Sequence, residues 1–144
     1  MLRPLSLFGY VAMVAAIVGL FLSHALFSPS PLVIVPQALA VALMLWARVT
    51  FGRRSFHATA GATGGGLVTS GPYRFVRHPI YTAVCLFGWA GVLAHWSWRS
   101  AALGILLLAG ALTRMLCEER LVAERYPEYP AYARRTRRMI PGVF

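Results

Sequence analysis

The chain has 144 residues, 58% of them hydrophobic and only 12% charged, with a mean hydropathy of +0.64. An average soluble domain carries about a quarter charged residues, so this composition excludes an ordinary water-soluble globule and fits a chain whose solvent is lipid. The 14 basic residues are all Arg and the four acidic ones all Glu, for a net charge of +10, yet no charged side chain stands between Arg3 and Arg48, which rules out a nucleic-acid-binding face over the first third.

Four apolar runs, 5–26, 31–47, 80–95 and 100–117, approach the roughly 20 residues that a bilayer-crossing helix needs. They predict an all-α, polytopic membrane protein with four transmembrane helices in a single membrane domain, 1–144. The first two helices occupy 1–47, a cytoplasmic loop 48–79, a helical hairpin 80–117 and a cytoplasmic C-terminal segment 118–144. Ser28-Pro29-Ser30-Pro31 separates the first pair of helices. The third run is short and borrows Pro79 or Trp96 at its ends. Trp96-Ser97-Trp98-Arg99 reads as a tight turn with its indoles at the membrane-water boundary, making helices three and four an antiparallel hairpin. Ser23-His24-Ala25 has the small-x-small form of a signal-peptide cleavage site, but the apolar run before it exceeds the usual length of about 7 to 15 residues.

Four spans place both termini on one side. Thirteen Arg and all four Glu fall on that side and Arg99 alone on the other, so the positive-inside rule makes it cytoplasmic. The loop there centres on Gly61-Ala62-Thr63-Gly64-Gly65-Gly66, which lacks the spacing of a phosphate-binding loop and reads as a linker or as a place of close backbone approach to a ligand. At the loop's end Pro79 opens the third helix, and a residue before proline is pushed out of the helical region, so His78 is held at the helix mouth. Unpaired N–H groups and the helix dipole, with Arg74 and Arg77 adding charge, suit an anion there; the bland alternative is an arginine cluster that only sets topology, with Tyr73 and Tyr81 as interface aromatics. Arg114 precedes Glu118 by one helical turn and lies within the apolar length of the fourth run, a depth at which ionisable groups face a cavity or a partner. His24, His57, His78 and His95 show no i, i+4 pairing, and Cys85 and Cys117 form no CxxC, so no metal is expected.

Leu67-Val68-Thr69-Ser70-Gly71-Pro72-Tyr73, Arg77-His78-Pro79-Ile80-Tyr81, Glu118-Glu119, Tyr126-Pro127-Glu128-Tyr129, Tyr132 and Ile140-Pro141 together resemble the isoprenylcysteine carboxyl methyltransferase and phospholipid methyltransferase family of membrane enzymes. The resemblance covers residues 65–141; the first two helices carry none of it. It implies S-adenosylmethionine as cofactor, bound in a cytoplasmic pocket lined by Gly65, Gly66, Leu67, Val68, Tyr73, Arg77, His78, Pro79, Ile80, Tyr81 and Glu118. Arg114, Glu118 and Glu119 would be catalytic, and the partners would be membrane lipid and a lipophilic or small methyl acceptor, with no nucleic acid. Two departures fall near this pocket: Ala83 where the family usually has Gly, and Tyr126-Pro127 in place of Phe-Gly. Two rival readings are an NADPH-dependent membrane reductase with a similar C-terminal pattern and a non-enzymatic small helical membrane protein whose arginines bind anionic lipid.

Overall fold

The computed structural model describes residues 2–52 and 66–144; Gly65, His57 and the rest of the glycine-rich centre before Gly66 lie outside the described residues. Among the described residues the chain is all-helical: α1 Leu2–Leu22, α2 Pro31–Phe51, a 3-10 turn Gly71–Arg74, α3 Pro79–Ala94, α4 Trp98–Arg125 and α5 Tyr129–Arg135. Three of these helices, α1, α2 and α4, are long and apolar enough to cross a membrane. α3 has 16 residues and rises about 24 Å, less than the roughly 30 Å hydrocarbon core, so as a third span it needs the flanking residues expected to lengthen it.

Local chemistry sets the helix ends. Ser30 caps α2, its side chain accepting from the Leu32 N–H, and Pro31 follows at a position where no N–H is needed. At α4, Ser97 Oγ accepts from Ser100 N–H at 3.1 Å while Ser100 Oγ accepts from Ser97 N–H at 2.9 Å. This reciprocal cap starts the helix at Trp98, so Trp98 and Arg99, expected in the turn, form its first turn, and the connection from α3 shrinks to residues 95–97. Past the apolar run, α4 continues to Arg125. α2 likewise runs one turn beyond its expected end, to Phe51, and stops at Gly52, whose φ of +67° favours glycine.

Pairing does not follow chain order: α1 packs chiefly on α4 and α2 on α3, whereas α1 and α2 make no extended contact. Small residues allow the first pairing. α1 buries Ser6, Gly9, Ala12, Met13, Ala16 and Leu20 along one face. A Cβ on Gly9 would lie 2.8 Å from the Gly110 carbonyl oxygen, and one on Gly110 2.7 Å from that of Gly9, so the two backbones touch there, as small residues permit between helices in lipid. The remaining faces are apolar and exposed, with Phe8, Val11, Leu39, Leu45 and Ile105 among them, as lipid-facing surfaces are. Polar ties hold the end remote from the α3 mouth. Gln37 Nε2 donates to Leu26 O at 2.7 Å and Phe87 O at 3.2 Å, and a His95 ring nitrogen lies 2.8 Å from Phe27 O.

Candidate active site

At the opposite end of the bundle a cavity of about 280 Å³, near the lower bound of the roughly 300–1,000 Å³ typical of small-molecule sites, opens between the start of α3 and the end of the apolar part of α4. Its lining includes Gly66, Leu67, Val68, Tyr73, Arg77, His78, Pro79, Ile80, Tyr81, Arg114, Glu118 and Glu119, so every described residue expected at the site converges there. Gly65 lies outside the described residues. Ala83, one of the two departures, is buried outside the lining; Tyr126, the other, is part of it.

His78 occupies the cap position before α3, with Pro79 as the first helical residue, and is buried. Glu118 and Glu119 are consecutive on α4 and therefore project about 100° apart, which divides the polar wall into two clusters. In the first, Arg114 Nε donates to the Tyr81 hydroxyl at 2.5 Å, and that hydroxyl donates to Glu118 Oε1 at 2.6 Å. Arg114 Nε is also 3.3 Å from Glu118 Oε1, one turn along the helix, and its guanidinium lies 5.0 Å from the centre of the Tyr10 ring on α1. Arg114 is 5% exposed, so the ion pair and the aromatic contact answer the question of what a charge at that depth faces.

The second cluster gathers on Glu119. Arg77 Nε reaches Oε1 at 3.0 Å, Arg138 reaches Oε2 through Nη2 at 3.1 Å, and His78 Nε2 lies 3.2 Å from Oε1. An ionised carboxylate only accepts, so Nε2 carries the hydrogen of that bond. The other His78 nitrogen, Nδ1, stands 3.9 Å from Glu118 Oε2, so His78 lies between the two clusters. Glu119 lies two residues beyond the apolar run of α4. Burial pushes its carboxyl up, but hydrogen bonds from His78, Arg138 and Arg77 outweigh that and bring it down to about 2.

Several lining residues were not legible as such. Tyr10 and Met13 of α1 and Met44 and Arg48 of α2 contribute walls from helices that carry no family motif. Tyr126, Tyr129 and Tyr132 close the side toward α5, and Tyr132 OH donates to Tyr73 O at 2.7 Å. Burial raises the Tyr132 hydroxyl to about 12, which keeps it protonated as a donor. All three tyrosines belong to the motifs that carried the family resemblance, although only Tyr126 was placed near the pocket from the sequence. Among the described residues, no group of three or more His, Cys, Asp or Glu is placed to hold a metal ion.

Residues 50–129 match the family described as phospholipid methyltransferase, more than half of the chain. The chain belongs to the phospholipid methyltransferase family. It is thereby a member of a family of membrane methyltransferases, and the matched segment contains the α3 mouth, Arg114 and both glutamates. The chain is also 40% identical over 88 residues to the cobalt-zinc-cadmium resistance protein CzcN of Cupriavidus metallidurans, covering 58% of this chain and 39% of that protein. It is 36% identical over 87 residues to the nickel-cobalt-cadmium resistance protein NccN of Alcaligenes xylosoxydans xylosoxydans, covering 58% and 40%. The matches thus span about two fifths of the length of these curated relatives. No solved structure matches the chain significantly.

Proposed function

We propose that the chain is an integral membrane methyltransferase that transfers a methyl group from S-adenosylmethionine to a lipophilic or small acceptor bearing a carboxylate, amine or thiol. The observation that carries this reading is the convergence of Tyr81, His78, Arg114 and Glu118 on one cavity within the family-matched segment. The donor set fits the cofactor's chemistry. Glu118 suits its ammonium or ribose hydroxyls, the α3 mouth with Arg77 and His78 suits its carboxylate, and the tyrosine walls suit its adenine ring. When bound, the cofactor supplies a methyl group activated on a sulfonium.

The chain's own residues have the tasks of binding, orientation and exclusion of water. Methyl transfer by in-line displacement needs no protein nucleophile, and catalysis comes mainly from holding the reacting atoms about 3 to 3.5 Å apart in line. Tyr81 and Glu118 fix the Arg114 guanidinium, so an acceptor meets a pre-oriented group instead of a mobile chain. Met13, Met44 and Val84 give the cavity an apolar side toward the bundle, which suits an acceptor arriving from the bilayer. In the topology we propose, α1 to α4 make four spans, α3 and α4 form the antiparallel hairpin, and both termini and the cavity face the cytoplasm, since thirteen of the fourteen Arg then share that side.

The test is equilibrium binding of S-adenosylmethionine and S-adenosylhomocysteine to detergent-purified chain, followed by transfer of labelled methyl to prenylated cysteine, phosphatidylethanolamine and simple thiols in native membranes. Saturable binding with transfer to one acceptor class is the expected result. No saturable binding of either nucleoside overturns the reading.

A further inference from the structure

Glu119 is expected from the family resemblance to share the chemistry with Glu118, and its surroundings differ from those of Glu118. The chain after α5 turns back across the α3 mouth. Arg77 N–H donates to Arg137 O at 2.7 Å and His78 N–H to Arg138 O at 2.9 Å, and Val76 and Arg137 form a parallel bridge. Thr82 Oγ1 donates to Met139 O at 2.9 Å. Arg77 Nη1 donates to the carbonyls of Ala133 at 2.8 Å and Thr136 at 2.7 Å while its Nε holds Glu119. Glu119, on α4, thus grips one cation from the segment before α3 and one from the returning arm, and through His78 Nε2 it also fixes the imidazole that lines the cavity. Its side chain is 13% exposed against 24% for Glu118, and both its oxygens already accept from cationic donors.

We propose that Glu119 is a positioning residue that bolts the C-terminal arm, residues 136–144, to the α3 mouth, and that this bolt sets how tightly the cavity holds the methyl donor. The proposal rests on the methyl-transfer reading for its ligand but not for its mechanics. A bolt made by a carboxylate between two arginines and an imidazole N–H orients Arg77 and His78 from behind, as supporting hydrogen bonds orient the groups of a binding site. Its loss loosens the wall that binds the donor and leaves the Arg114, Tyr81 and Glu118 cluster in place.

The experiment combines hydrogen exchange by mass spectrometry with donor affinity and turnover, on the full chain in detergent, for the wild type, Glu119→Gln, Arg138→Gln, Arg138→Lys and Thr82→Val. In both Gln variants the expected result is exchange about tenfold faster at the amides of residues 137–140 and a KM for S-adenosylmethionine raised about tenfold, with kcat changing far less. Arg138→Lys restores most of the protection. The double variant Glu119→Gln with Arg138→Gln is no worse than the poorer single one, because both remove one clamp. Thr82→Val, which loosens the arm without touching Glu119, shifts exchange and KM in the same direction and keeps the question open to measurement if Glu119→Gln does not fold. Unchanged exchange with kcat lost, or a loosened arm with unchanged KM, overturns the proposal. If the wild type binds no S-adenosylhomocysteine, the methyl-transfer reading falls, and the exchange comparison alone decides whether Glu119 holds the arm.

Discussion

Tyr81 serves as acceptor and donor at once, taking a hydrogen bond from Arg114 and giving one to Glu118. Tyr81→Phe removes both bonds but leaves the 3.3 Å ion pair, so we expect about 1 to 2 kcal/mol of lost stability, read as a lower Tm, and weaker donor binding in the same preparation. Glu118→Gln keeps the shape and removes the charge; its dissociation constant for S-adenosylhomocysteine should rise about tenfold, and an unchanged value would remove Glu118 from the site. Glu119 gives a pH signature. Its folded value of about 2 lies below the ordinary 4.5, so the stabilisation from its ionised form is whole above about pH 4.5 and drains away as pH falls toward 2. Thermal unfolding from pH 6 to 2.5 should show this acid loss in the wild type and a shallower one in Glu119→Gln.

At the level of elements, the close approach of α1 and α4 depends on two glycines. Gly110→Leu must push the Gly9 carbonyl and Met13 aside, so we expect about 1 to 3 kcal/mol of destabilisation, seen as a lower Tm in detergent, with Gly19→Ala a milder case because only the Leu103 side chain has to move. Most helices were legible in the sequence because apolar runs and the prolines Pro31 and Pro79 are local signals, whereas the Ser97 cap was read as part of a turn. The site's polar half was legible because its residues fall in two short motifs whose spacing survives without tertiary information. Its apolar half was not. Tyr10, Met13 and Met44 look like any other members of a lipid-facing run, and only the packing of α1 on α4 turns the first two of them inward. Helix ends were the other gap. α2 shows it: the helix runs to Phe51, one turn past the apolar run that ends at 47.

For the whole molecule, the proposed four-span topology separates thirteen Arg from one and so makes orientation a measurable property. Reporter fusions or thiol labelling at both termini should report the cytoplasm, with a site beside Trp96 on the far side, and adding several Arg there should shift part of the population to the inverted orientation. The pairing of α1 with α4 and of α2 with α3 has a consequence for biogenesis. The partner that covers the groove at Gly9 is synthesised roughly a hundred residues later, so the first helix must wait in lipid with its small-residue stripe uncovered until the fourth is released from the translocon. During that interval the stripe is open to any neighbouring helix with a matching notch, and errors of assembly in this protein should concentrate there.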